Sequence, residues 1–436
     1  MAAGVGRDVK GRYRWWIGTL LLLSTVVNYI DRQTLSVLGP RLKVEFHWTN
    51  ESFALVIISF RIAYTVMQAV TGRLLDRVGT RRGLSLAVLW YSAAAMLTSL
   101  ATGLRSFCAL RFLLGAGEAA NWPGATKAVA EWFPRRERGW AVALFDSGSS
   151  FGAAIAVVLV PLLYTRLGGC RPAFLVTGTL GLLWLLLWRR SYHPPEAHPR
   201  LGSDELRMIL DDRAAERAAS APGAAARPSP GWGTLLALPQ TWGVIAARGL
   251  SDPVWFMITD WFAIYLASKG FKLEDTATGF WVPFLAADLG NFFGGGWSSF
   301  LIRRGWSVGR ARKALIVGGA FGVLMLIPAA YLSTFVPLVA CFAVATFSYA
   351  ALSTMALALP ADLFESGAVA SVAGMAGAAA GAGTIVSTFL IGIVADRFSF
   401  KPILVTASLV PLLAAGLVLL LVRNDARSGQ GVVKVI

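Results

Sequence analysis

Apolar stretches of about twenty residues recur from one end of this chain to the other, and that repetition leaves few folds open. A run of about 18 or more apolar residues is long enough to cross a bilayer as a helix. In hydrocarbon every backbone N–H and C=O must be satisfied within the chain, so a run of this length predicts helix. The approximate spans are 15–38, 52–72, 84–102, 107–131, 139–163, 171–190, 241–267, 278–301, 313–332, 335–360, 368–394 and 401–422. Composition agrees: 56% of the 436 residues are hydrophobic and only 15% are charged, where a soluble chain carries about a quarter. The expected fold class is an all-α membrane protein with twelve transmembrane helices in two six-helix halves.

Forty Lys and Arg face 24 Asp and Glu, a net charge of +16. On a soluble protein that excess would raise the question of nucleic acid. Here most of the basic residues fall in the connecting segments of one side, the bias that orients membrane proteins, so the lipid bilayer is the expected partner and nucleic acid is not. An even number of spans puts both termini on one side. The basic start (Arg7, Lys10, Arg12, Arg14) places that side in the cytoplasm. The first apolar run follows these charges as a signal peptide would. It is too long, contains Asp31 and Arg32, and shows no small-residue cleavage site, which predicts a retained first helix.

Cys108, Cys170 and Cys341 are widely spaced in or beside apolar runs and form neither a disulfide framework nor a metal-ligand spacing. His47, His193 and His198 all lie outside the spans, and neither GxxxxGKS/T nor HExxH occurs. The sequence therefore points away from an enzyme, and neither a metal nor a cofactor is expected.

Between the sixth and seventh spans lies a polar stretch rich in Pro, Ala and Arg, with one amphipathic helix expected at Asp204 to Ala218 after an N-cap at Ser203. The expected organisation is a six-helix half over 1–190, a cytoplasmic linker over 191–240 and a second half over 241–436. The linker is too short for a signalling domain. The halves echo each other: EWFPRRERGWAVALFDSGSSFGAA follows the fourth span and DLFESGAVASVAGMAGAAAGAG the tenth. Small residues let membrane helices approach closely. Related six-helix halves are the trace of a transporter whose site lies at their interface, with no cofactor required.

A charge inside a span costs roughly 2.5–3.5 kcal/mol on insertion scales, so it should face protein or a water-filled cavity. Asp31, Arg32, Arg61, Arg111, Glu118, Lys127, Asp146, Arg248, Asp252, Asp260 and Asp288 are such residues, most of them in the first half. Neighbours on a helix point about 100° apart, so one of Asp31 and Arg32 can face a cavity while the other faces a helix. Arg111 and Glu118 are seven residues apart, on one helical face. Asp31, Arg32, Arg111 and Glu118 are expected to form one network. Arg32 offers a planar fork to a carboxylate, and Asp31 and Glu118 are the expected proton carriers. Asn28, Gln68, Asn121, Ser147, Ser149, Asn291, Ser348, Ser353 and Thr354 could meet hydroxyls, Asn121 and Ser149 foremost.

GRLLDRVGTRRG, at Gly72 to Gly83, matches the loop pattern of the major facilitator superfamily at Gly72, Asp76, Arg77, Gly79, Arg81 and Arg82. Glycines allow a tight turn there, and Asp76 can meet a basic residue or a helix N-terminus and latch one conformation. NYIDRQTLSVLGP, RFLLGAGEAANWPGATKAVAEWFPRRERG, FDSGSSFGAA, FLAADLGNFFGG and LIRRGWSVGRARK resemble the anion:cation symporters of that superfamily, and within them bacterial hexuronate transporters.

The resemblance spans about 15–422 and is weakest in the linker and tails. It implies uptake of an organic anion, glucuronate or galacturonate, coupled to H+, by a chain, expected to be a monomer, in the bacterial inner membrane. An aldonate such as galactonate, or an aromatic carboxylate, is the alternative anion. By resemblance Asp31, Arg32, Arg111 and Glu118 carry the coupling and binding, and Tyr64 helps hold substrate. Three departures stand out. Asp146 replaces an expected Asn, Asp260 an apolar residue, and Asp362 and Glu365 leave the loop between spans ten and eleven acidic.

Overall fold

A computed structural model of the chain describes residues 12–220, 229–271 and 277–422; Arg7 and Lys10 of the basic start lie outside them. The described residues form α-helices and short 3-10 turns, with no strand among them. The helices are α1 Tyr13–Glu45, α2 Asn50–Val78, α3 Thr80–Leu97, α4 Leu104–Glu118, α5 Asn121–Trp132, α6 Arg135–Leu167, α7 Cys170–Ser191 and α8 Ser203–Ser220. They continue as α9 Trp232–Leu236, α10 Pro239–Ser268, α11 Ala277–Arg303, α12 Val308–Val323, α13 Leu326–Tyr331, α14 Phe335–Leu363, α15 Val369–Arg397 and α16 Phe400–Leu421.

Two expected spans are broken, and both breaks have one cause. A proline lacks an N–H and its ring crowds the carbonyl four residues back. Pro123 puts that point at Ala119, where α4 gives way to α5, and Pro328 puts it at Leu324, where α12 gives way to α13. Counting α4–α5 and α12–α13 as one span each gives the twelve. Among the described residues α2, α3, α6, α7, α12–α13, α14, α15 and α16 are each long and apolar enough to cross a bilayer. The other four, α1, α4–α5, α10 and α11, hold Asp31, Arg32, Arg111, Glu118, Lys127, Arg248, Asp252 and Asp288.

Helix packing repeats across the halves. α1 packs on α6 as α10 packs on α15, α2 on α4 as α11 on α14, and α3 on α7 as α12 on α16. The halves meet through a matched pair of contacts, α2 on α15 and α6 on α11. Glycine makes these crossings close. A methyl added to Gly72 would lie 2.2 Å from the Ala370 carbonyl oxygen, and one on Gly374 2.2 Å from that of Gln68. Across the other pair, a methyl on Gly295 would lie 2.6 Å from the Gly139 carbonyl oxygen.

The linker helix is firmly docked, one residue longer at its start and two at its end than expected, with Ser203 its first turn rather than a cap outside it. Buried Glu205 accepts from the backbone N–H of Tyr13 and Arg14, at 3.0 and 3.2 Å, and so caps the start of α1. Arg14 also reaches Glu205 Oε1 at 2.8 Å and Glu137 Oε2 at 2.7 Å. At the other end of the linker, Leu235 packs in one apolar cluster with Val422 after α16, so the start of α1, the linker and the end of α16 share one face of the bundle, the linker face.

Candidate functional site

Mid-length on α1, Asp31 and Arg32 point in different directions. Arg32 donates to Glu118 Oε2 from Nη2 at 3.0 Å and from Nε at 3.3 Å, and from Nη2 to Asn28 Oδ1 at 3.3 Å. Its guanidinium lies over three rings: Tyr29 at 4.8 Å, Tyr64 at 4.8 Å and Phe60 at 4.9 Å from the centroids. Such faces attract a cation and hold the fork in place. The Arg32 side chain is 21% exposed while Glu118 is fully buried, so Arg32 is the more accessible member of the pair. Glu118 is the last residue of α4, fixed in depth by the break that Pro123 imposes.

Asp31 is buried on the other side of α1, and neither carboxylate oxygen has a hydrogen-bond partner. Its neighbours are Arg111, Glu118, Thr177 of α7 and Tyr91 of α3. The expected single network therefore divides. Arg32 and Glu118 form the ion pair; Arg111 lies under Phe60, 5.0 Å from its centroid, and donates to the Arg32 carbonyl at 3.4 Å. Asp31 makes no ion pair with Arg32, because the 100° step along α1 turns it into the bundle, yet it stays within electrostatic reach of Glu118 and Arg111.

The structure also separates the other expected residues. Tyr64 joins the cage. Asn121 bridges α1 and α5, donating to Thr25 Oγ1 at 3.1 Å and accepting from Ser24 Oγ at 2.7 Å. Ser149 turns back on its own helix, donating to the Asp146 carbonyl at 2.7 Å, and Ser147 does likewise to Leu144. Thr354 donates to Asn291 at 3.0 Å. Asp260 falls on α10, and its side chain lies outside the described residues.

The facing half supplies groups the sequence reading left without a role. Arg248 closes on Asp252 Oδ2 with Nη2 at 2.6 Å and Nε at 3.1 Å, and Tyr349 donates to Asp252 Oδ1 at 3.1 Å. Trp255 stacks on Tyr349 with 5.9 Å between centroids. Arg248 lies within electrostatic reach of Tyr64 and of Asp146, across the interface. Ser150 of α6 donates to Asp288 of α11 at 2.7 Å, joining the halves at this height. The i,i+4 spacing of Arg248 and Asp252 was a signal available in the sequence.

The linker face is closed by charges that cross between halves. Asp76, at the end of α2, accepts from Lys127 Nζ at 2.7 Å and from the backbone N–H of Ser371 at 2.7 Å and Ala370 at 3.3 Å, the first turn of α15. Lys127 also donates to the Ser366 carbonyl at 2.7 Å. Of the other loop residues, Gly79 makes the turn at φ 87°, Arg81 donates to the Arg189 carbonyl at 2.6 Å, and Arg77 is exposed. Asp362 is buried between Arg312, at 2.8 Å, and Arg138 of the first half, at 3.4 Å. Of the two acids that depart from the charge rule, Asp362, in the last turn of α14, is therefore the centre of an ion-pair cluster, while Glu365 is exposed. Among the described residues no group of His, Cys, Asp and Glu could hold a metal.

A family profile described as Major Facilitator Superfamily matches residues 21–333. A hexuronate transporter of Escherichia coli (strain K12) is 32% identical over 424 residues, covering 96% of each chain. A galacturonate transporter of Dickeya chrysanthemi is 35% identical over 289 residues, 66% of this chain and 81% of that one. A D-galactonate transporter of Escherichia coli O6:H1 is 30% identical over 427 residues, 96% of this chain and 98% of the other. Among solved structures, the proton:xylose symporter XylE aligns with a TM-score of 0.74 at 14% identity, over 97% of this chain and 98% of its own. FucP in the outward conformation aligns at 0.69 and 17%, over 94% and 98%. These two likenesses establish the fold.

Proposed function

Because this chain belongs to the Major Facilitator Superfamily and is a membrane-embedded transporter rather than an enzyme, we propose that it carries a hexuronate, such as glucuronate or galacturonate, inward together with protons. The two halves, 1–190 and 241–436, rock about a midplane site while the 191–240 linker joins them. The relatives named for hexuronate, galacturonate and galactonate support a sugar acid as the cargo.

One observation carries the reading: a caged guanidinium, paired with one carboxylate and on a side chain only partly buried, stands mid-helix in the membrane. A substrate carboxylate fits its planar fork. As substrate takes the fork, Glu118 loses its donors, and a proton then supplies the neutrality that Arg32 gave up. No guanidinium pairs with Asp31, so a proton is the simplest way for it to remain uncharged in the bundle. Loaded, the site carries anion and proton together at low net charge. Arg111 steadies the backbone of Arg32, Asn121 ties α5 to α1, and Ser149 acts within α6.

The 72–81 loop acts as the latch: Asp76, held by Lys127, caps α15 of the other half when the linker face is closed. Gly72 permits the close crossing, Gly79 the turn, and Arg77 and Arg81 flank it. Both termini lie in the cytoplasm, and the membrane is the bacterial inner membrane. Galactonate, another aldonate or an aromatic carboxylate is the alternative anion. Uptake of labelled glucuronate, galacturonate and galactonate into proteoliposomes, with and without an inward proton gradient, tests the reading. Accumulation of a uronate driven by the gradient is expected; uptake indifferent to the gradient overturns the coupling, and preference for galactonate overturns the cargo.

A further inference from the structure

Asp146 has no part in the mechanism above. It sits half-buried on α6, accepts from Trp122 Nε1 at 3.3 Å, and faces Arg248 and Asp252 of α10 and Asp288 of α11. Trp122 in turn packs on Tyr29, 6.0 Å between centroids, and Tyr29 is a wall of the Arg32 cage. Asp146 is therefore coupled to the cage on one side and to the second half on the other.

What the facing wall offers an anion follows from its pairing. Arg248 is the cation there that Asp146 senses, and two of its nitrogens already close on one oxygen of Asp252. The other Asp252 oxygen holds the Tyr349 hydroxyl. Asp146 brings a second carboxyl within reach of that guanidinium, and Asp288, held by Ser150, lies within reach of Asp146. Opposite, Arg32 and Arg111 surround Glu118. Tyr64 borders both walls, touching Arg32 and lying within reach of Arg248. The two sides differ in their balance: the cage sets Arg32 and Arg111 around Glu118, while Arg248 answers Asp252 and has Asp146 within reach as well.

We infer that Asp146 selects the class of anion: it admits sugar acids with one carboxylate and rejects dicarboxylic sugar acids. The inference rests on the hexuronate reading and narrows it. With the carboxylate on Arg32, the far end of a uronate or aldonate presents hydroxyls, and hydroxyls donate to carboxylates. A dicarboxylate presents a second negative charge to a wall whose guanidinium is already neutralised. Two like charges about 10 Å apart, at an effective dielectric of about 20, separate affinities by about tenfold, and closer ones by more. Discrimination by a repulsive element is the economical way to tell ligands that share every other group.

The test is competition against labelled glucuronate bound to the full-length protein in nanodiscs at mildly alkaline pH. Unlabelled glucuronate, galactonate and glucarate are the competitors. In wild type, glucarate is expected to compete at least about tenfold more weakly than glucuronate. Asp146→Asn should shrink that ratio by about tenfold, and Asp146→Glu, which keeps the charge, should retain it. Equal competition by glucarate and glucuronate in wild type overturns the inference without any variant, and so does a ratio unchanged in Asp146→Asn. If neither uronate nor aldonate competes at all, the hexuronate reading itself falls and takes the inference with it.

Discussion

Replacing Asp76 by Asn keeps the shape of the side chain and removes its charge. Asp76 and Lys127 are buried, with side chains 0% and 4% exposed, and meet at 2.7 Å. Breaking such a pair from one side costs about 3–5 kcal/mol, because a buried charge is left uncompensated. That part weighs on both conformations, since α2 and α5 belong to the same half. The part that depends on conformation is the cap on α15: hydrogen bonds from Ser371 at 2.7 Å and Ala370 at 3.3 Å to an ionised acceptor. Hydrogen bonds to a charged group contribute about 1.5–3 kcal/mol each, and the helix dipole adds about 0.3–1 kcal/mol. With the longer bond discounted, Asp76→Asn should weaken closure of the linker face by about 2–4 kcal/mol, a population shift of roughly 30- to 1,000-fold at about 1.4 kcal/mol per tenfold. Spin labels at exposed Arg82 and Glu365, one on each half, read this closure as an interspin distance. The variant should lose the short-distance population that wild type shows. Asp76→Asn/Lys127→Met should recover overall stability but not the closed population, because only the shared part is repaired. Unchanged distance distributions in Asp76→Asn would refute the latch.

Glu118→Gln and Asp31→Asn should each abolish proton-driven accumulation of glucuronate by reconstituted protein while equilibrium counterflow survives; full accumulation in both variants would remove these carboxyls from coupling. The linker should loosen in acid. His198 Nδ1 accepts from the Arg200 N–H at 3.1 Å and Nε2 meets the Ser191 carbonyl at 3.0 Å, which is the neutral ring. Burial holds its pKa below the ordinary 6.5. A folded value below the unfolded one means the docked linker has its full stability above about pH 6.5 and loses it as pH falls. Hydrogen exchange of residues 203–220, corrected for intrinsic rate, should accelerate below that pH in wild type and much less in His198→Gln; equal acceleration in both would exclude His198.

The spans were legible because an eighteen-residue apolar run has one structural meaning in a bilayer, and the halves because a polar, proline-rich stretch divides them. The charged centre of α1 was legible for the same reason: Asp31 and Arg32 have no place in lipid without a purpose. What escaped the sequence was tertiary. Phe60 is an ordinary apolar residue of α2, and only the packing of α2 on α4 sets it over Arg111 and beside Glu118, where Arg32 of α1 meets it. Spacing along α1 established that Asp31 and Arg32 diverge, yet not which of them Glu118 meets, since that depends on where Pro123 interrupts the fourth span. Asn121 lay in a suggestive stretch but spends its amide joining α1 to α5. Asp362 seemed an exception to the charge rule because Arg138 and Arg312, far away in sequence, are the charges it answers.

The most direct test of the account is saturable glucuronate uptake by Arg32→Gln, reconstituted at wild-type density and shown to melt as wild type does. Losing a two-pronged, charge-assisted contact of about 3–4 kcal/mol predicts a fall of roughly 100-fold or more in kcat/KM. Uptake with wild-type affinity and rate would contradict it, and with it the assignment of this guanidinium as the seat of the anion.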